Sequence, residues 1–160
     1  RKIQNFEYLK VFFQSLFDLA KSKKFGDKTI CIVLEEAHTI IPEWNFVADN
    51  DRAISALLNS ISQIALQGRK YGIGLMVIAQ RTANVSKTIL TQCNTVVAFQ
   101  QFDKTSADFL ESFVGGDAGR ILPSLKPRTA IATGKGLRSS TPVIFEVPTI
   151  TEPAAKQPAD

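Results

Sequence analysis

Apolar residues recur at spacings of three and four from Phe6 through Leu9, Phe13, Leu16, Phe17 and Ala20. That spacing predicts a helix over 3–24, ended by Phe25-Gly26-Asp27. The pattern then changes. Thr29 to Leu34 is a continuous apolar run with no polar alternation, as expected of a strand covered on both faces. A loop containing Pro42, Trp44 and Phe46 follows, from about Ile41 to Asn50. Ile54, Leu57, Leu58, Ile61 and Ala65 form the buried stripe of a second helix, with Asn50 or Asp51 as its cap. Arg69-Lys70-Tyr71-Gly72 closes it, cations and then glycine being a helix stop. Ile73 to Ala79 reads as a second apolar strand, Ser86 as the cap of a short helix to about Thr91, and Thr95 to Phe99 as a third strand. Asp103 to Phe113 reads as a helix stopped by Gly115-Gly116, followed by a helical piece near Ala118 to Leu122 that ends at Pro123. Thr129 to Thr133 and Val143 to Val147 are late strands joined by a Gly-Lys-Gly turn. Strands alternating with helices from 29 to 113 predict an α/β fold with a mostly parallel, two-sided sheet.

Composition adds bounds. The chain has 160 residues, 44% hydrophobic and 21% charged, which suits one domain with its own core and argues against disorder. No apolar run reaches the roughly 18 residues of a membrane span, and no signal segment opens the chain, so no membrane partner is expected. The net charge of +4 admits an anionic partner, nucleic acid included, without requiring one. The two cysteines, Cys31 and Cys93, fit neither a disulfide framework nor a zinc cluster, and a reducing, cytoplasmic compartment is expected. The chain opens on Arg1-Lys2, and the expectation is a piece of a longer protein. Residues 1–150 form the folded part and Thr151 to Asp160, with two prolines, a loose tail.

Candidate chemistry concentrates where the first strand ends, in ICIVLEEAHTIIPE. Ligands of open α/β sheets bind outside the carboxyl ends of the strands, and Glu35-Glu36 stand at such an end. One carboxylate can hold a hydrated metal while its neighbour faces a water, a division that suits phosphoryl transfer. Solvent-exposed acids at an ordinary strand end are the plain alternative. Metal ligation by Glu35 and His38, three residues apart as in di-iron helix bundles, needs a second such pair and long helices; the chain has one histidine and a preceding β run. The second strand ends on Gln80-Arg81, where an amide can bond a phosphate or the attacking water. Arg69 sits at a glycine-bounded turn; it either stabilises a helix C-terminus or is offered to a neighbouring subunit's phosphate.

Taken in order, VLEEAH, ALQGRKYGIGLMVIAQRT, SKTILTQCNTVVAF and LPSLKPRTAIAT resemble the C-terminal half of the HerA-like branch of the HerA/FtsK ATPases, over about residues 29 to 147. The resemblance implies a three-layer RecA-like P-loop NTPase fragment and an ATP-dependent DNA translocase or helicase motor, hexameric when full-length. It implies ATP and Mg²⁺ as cofactors and double-stranded DNA as partner, often with a nuclease or other effector enzyme alongside. Matched position by position, Glu35 is the Walker B residue supporting Mg²⁺ through water, and Glu36 the carboxylate that activates water. Gln80 is the sensor, Arg69 the arginine acting toward nucleotide phosphate at a subunit interface, and Arg81 follows the sensor beside the nucleotide. His38 is expected to anchor the strand end. Lys70, Lys87, Lys104 and Arg138 are candidates for DNA backbone contact.

The P-loop, G-x-x-x-x-G-K-[ST], is absent from the 160 residues. Gly115-Gly116-Asp117-Ala118-Gly119-Arg120 lacks the lysine, and Thr133-Gly134-Lys135-Gly136 lacks both the leading glycine and the final hydroxyl. No backbone nest then cradles phosphates, so this chain alone is expected to bind ATP weakly and hydrolyse none. Open sheet edge and exposed apolar surface are expected too. The rival expectation is a non-enzymatic remnant that oligomerises or binds a partner.

Overall fold

The computed structural model describes residues 2–43 and 52–149. The caps expected at Asn50 or Asp51, Trp44 and Phe46 of the loop, and the 151–160 tail lie outside those residues. Helix α1 (Lys2–Lys21) buries Phe13, Phe17 and Ala20, one stripe at helical spacing. It packs on α2 (Arg52–Gln67), which buries Leu57, Ile61 and Ile64. Phe17 meets Tyr71 edge to face, with centroids 5.5 Å apart. Both helices cover one face of a parallel pair, β1 (Ile30–Leu34) and β2 (Ile73–Val77), in the register Ile30 with Ile73 through Leu34 with Val77.

The strand ends obey local rules. Gly72 takes φ 75° and sends its N–H back to the Arg69 and Gly68 carbonyls, ending the helical turn Gly68–Tyr71. Gly68 sits so close to β2 that an added Cβ would lie 2.8 Å from the Ile73 carbonyl oxygen. This tight corner starts β2 directly beneath α2.

The expectation that β1 is covered on both faces is corrected. Ile30, Ile32 and Leu34 face the helices, whereas Cys31 and Val33 alternate outward. In β2, Met76 does the same, and Ile78 follows just past its end. Val33 is 53% exposed, Met76 52% and Ile78 43%. Among the described residues, elements cover one face only and leave the other exposed, whatever the run's hydrophobicity.

After β2 the chain passes through a short helix α3 (Lys87–Leu90) into β3 (Thr95–Ala98), helix α4 (Lys104–Val114), helix α5 (Gly116–Arg120), β4 (Thr129–Gly134) and β5 (Val143–Glu146). The parallel run stops at β2. Strand β3 pairs antiparallel with β4, and β4 with β5, in a separate three-stranded sheet. Leu110, Val114, Leu122, Leu125, Ala98 and Ile131 form its core. Asp103 caps α4 by accepting the Ser106 N–H at 2.9 Å, and Gly115 ends it. Among the described residues no helix is long and apolar enough to cross a membrane, and Cys31 and Cys93 are unpaired.

Candidate active site

Strand β1 leaves its ladder in an unusual way. The Ile78 N–H donates to the Leu34 carbonyl at 2.9 Å, and the Ile78 carbonyl accepts from the Ala37 N–H at 3.0 Å. Ile78, just past the end of β2, thus bridges Leu34 and Ala37, and Glu35-Glu36 are extruded between them as a bulge. Glu36 takes φ 48° and ψ 48°, the left-handed region that side-chain-bearing residues seldom occupy. A short helical turn, Ala37–Thr39, fixes it from behind. Both the Thr39 N–H and its hydroxyl donate to the Glu36 carbonyl, each at 2.9 Å, and Ala37 is fully buried.

The next segment ties this bulge to the end of β2. Ser86 donates its N–H to Ile41, Glu43 donates its N–H to Asn84, and Pro42 stands opposite Val85. Ile41, Val85 and Ile89 beneath are fully buried. The Glu43 carboxylate accepts the Lys87 N–H at 2.7 Å. This corrects the cap expected at Ser86, whose side chain makes no capping bond. A carboxylate 44 residues away does that work, and no local pattern signals it.

The zipped segments bring two predicted residues into contact. Gln80 Nε2 donates to Glu36 Oε1 at 2.7 Å. Glu35 is exposed beside them and, among the described residues, makes no hydrogen bond or ion pair. His38 lies on the other side of Glu36, its Nδ1 3.5 Å from Oε2. Arg81, next to Gln80, is exposed and lies within electrostatic range of Asp103. The Asp103 carboxyl titrates below its ordinary value, lowered first by the Ser106 hydroxyl, then by the Ser106 N–H, and less by Arg81. Of the two Ser106 groups only the N–H closes a hydrogen bond; the buried hydroxyl lies alongside without one.

Arg69 is not part of this cluster. It stands exposed just before β2 begins, where the Gly72 carbonyl accepts the Ile30 N–H. The acids and Gln80 stand where the same strands end. Five paired residues separate the two rims, about 15 Å at 3.3 Å per residue. Arg69 lines a 350 Å³ cavity with Thr29, Gln92, Cys93 and Asn94. Burial raises the Cys93 thiol above its ordinary value. Lys70, Lys87, Lys104 and Arg138 are each exposed, on separate elements.

Among the described residues no three His, Cys, Asp or Glu side chains gather as a metal cage. That donor set still fits Mg²⁺, which keeps most of its waters and binds through one or two carboxylates plus substrate phosphates. Glu35, with its carboxylate unengaged, suits that role.

No protein-family model matches the chain. A probable helicase of Methanocaldococcus jannaschii, MJECL08, is 33% identical over 132 residues, covering 81% of this chain and 24% of that protein. The DNA double-strand break repair helicase HerA of Saccharolobus solfataricus is 32% identical over 132 residues, covering 80% of this chain and 25% of that protein. The chain thus spans about a quarter of the length of the curated relatives it matches. Among solved structures, the genome packaging NTPase B204 of Sulfolobus turreted icosahedral virus 2, bound to ATP-γS, superposes with a TM-score of 0.62 at 20% identity. It covers 87% of this chain and 62% of that one, and the likeness is one of fold, RecA-like P-loop NTPase. Sequence and fold together place this chain with the HerA-like helicases, a branch of the P-loop ATPases.

Proposed function

We propose that this chain is the C-terminal part of a HerA-type motor that hydrolyses ATP to translocate along double-stranded DNA, and that its β1–β2 rim supplies the hydrolytic half of the site. The observation that carries this reading is the 2.7 Å contact between Gln80 and Glu36, which joins two neighbouring strand ends across 44 residues. Glu36 accepts the proton of the water that attacks the γ-phosphorus, while the bond to the leaving diphosphate breaks. Gln80, on the other strand end, holds that carboxylate and senses the phosphate. Glu35 would hold Mg²⁺ through water, and the ion would supply charge neutralisation to the phosphates.

Arg69 stands at the opposite rim of the parallel pair from its own Glu36, which supports a role toward a phosphate held by another chain. In this reading Arg69 serves the nucleotide of a neighbouring copy, in the head-to-tail manner of a ring, and the full-length assembly is a homo-hexamer. In the same reading Arg81, next to Gln80, also meets the nucleotide. The exposed cations Lys70, Lys87, Lys104 and Arg138 track DNA phosphates without reading bases, a nuclease or other effector works alongside, and the location is cytoplasmic. The 160 residues by themselves contain no P-loop and should turn over no ATP.

The test uses the full-length protein. Glu36→Gln removes the base and leaves the phosphate cradle intact, so ATP hydrolysis should fall about 10²–10⁴-fold while binding of a fluorescent ATP analogue is retained. Hydrolysis at the wild-type rate would show that Glu36 is not the base.

A further inference from the structure

His38 is a polar group at the rim that the steps above leave unused. Its side chain is 40% exposed, yet Nδ1 itself is buried and, among the described residues, has no hydrogen-bond partner. A buried ring nitrogen without a partner carries an unmet desolvation cost. Glu36 Oε2 lies 3.5 Å away, about half an ångström beyond a usual N–H···O distance. Catalytic contacts of this kind commonly tighten only when the reacting complex forms.

The surroundings favour such a contact. Gln80 already occupies Oε1, so the two oxygens of one carboxylate are addressed from two different elements. The turn bearing His38 is held by buried Ala37 and by the two Thr39 bonds to the Glu36 carbonyl. An ionised carboxylate offers about four lone-pair sites. Two donors therefore leave two sites for water, and the Glu36 side chain is 46% exposed, so water reaches it.

We propose that His38 is a positioning residue for Glu36. In its Nδ1–H tautomer it donates to Oε2 and, with Gln80 on Oε1, sets the rotation of the carboxylate so that its free lone pairs face the attacking water. The proposal rests on the role given to Glu36 above.

The experiment is a set of variants in the full-length ATPase. His38→Ala should lower kcat about 10- to 100-fold, the loss expected when a reacting group is misplaced by around 1 Å, with KM for ATP and nucleotide affinity unchanged. His38→Asn, whose amide nitrogen occupies the place of Nδ1, should restore most of the rate. His38→Gln, whose amide reaches toward the place of Nε2, should not. In a Glu36→Gln background, His38→Ala should cost no further factor, because a residue acting through Glu36 has nothing left to position.

A wild-type kcat for His38→Ala, or the same fold loss in both backgrounds, overturns the proposal. If His38→Ala does not fold, the Asn and Gln variants decide: equal rates overturn it, and Asn well above Gln supports it. The two readings fail separately. A fully active Glu36→Gln removes the base, whereas an inactive Glu36→Gln beside a fully active His38→Ala removes only the role of His38.

Discussion

In the β1–β2 pair both strands run the same way, so their two C-terminal ends meet at one rim and deliver Glu36 and Gln80 to the same place. In β3–β4–β5 each neighbour runs the opposite way, so every edge mixes strand starts and strand ends. The polar groups at its margins fasten the hairpin: Arg128 reaches Glu146 at 2.8 Å, and the Thr95 hydroxyl accepts the Gly136 N–H at 2.9 Å. Parallel pairing concentrates chemistry and antiparallel pairing disperses it, although both units are built from similar apolar segments. The cores are separate as well, α1 and α2 covering one sheet and α4 the other.

The sharpest way to break that comparison is to damage one core at a time. Leu57→Ala in the first and Leu122→Ala in the second, both fully buried, should each cost about 2–5 kcal/mol. Native-state hydrogen exchange should then show protection lost first in the unit that carries the change. Uniform loss across both units for either variant would mean that the two cores unfold as one.

A smaller effect is expected at Asp103, the cap of α4, whose carboxylate also lies within electrostatic range of Arg81. Its carboxyl titrates lower in the folded chain than its ordinary 3.8, so the ionised form favours folding. That contribution is present above the unfolded value and is lost as pH falls through the lower, folded one. Asp103→Asn should lower Tm slightly at neutral pH and remove this part of the acid destabilisation below about pH 4. Thermal melts from pH 3 to 7 would measure both.

The smallest stability change belongs to the bare face of the parallel pair. Val33→Thr and Met76→Gln should move stability by no more than about 0.5 kcal/mol. They should still reduce dye binding to exposed apolar surface and any self-association seen by sedimentation. A large loss of stability would mean that this face is covered in solution.

Much of this architecture was legible because its signals are local. The spacing from Phe6 to Ala20 gave a helix, and the run from Ile30 into two acids gave a strand end. Gln80 could be placed on the same rim because parallel strands end together. The position of Arg69 follows from the same rule: it precedes β2, so it stands at the opposite rim. Other features depended on what lies beside a segment. A continuous apolar run does not reveal that Val33 stands exposed among the described residues, so it implies more coverage of β1 than the fold provides. Strand β3 reads like β1 and β2, yet its partner is β4, whose paired residues come 33 to 39 positions later. Ser86 has the right chemistry for a cap, but Glu43 arrives from the segment that follows β1, 44 residues away in sequence from Lys87. The closeness of His38 to Glu36 needed the backbone path of the bulge, and the adjacent letters do not give it.

The left-handed backbone of Glu36 has an evolutionary corollary. Glycine occupies that conformation with ease, and a glutamate held there gives up about 1 kcal/mol. Breeding this protein for robustness alone would therefore drift toward glycine at position 36, and sequences chosen for thermal endurance would discard the one carboxylate that Gln80 grips. Under the role proposed for Glu36, a family member with glycine there would be a sturdy but silent relative.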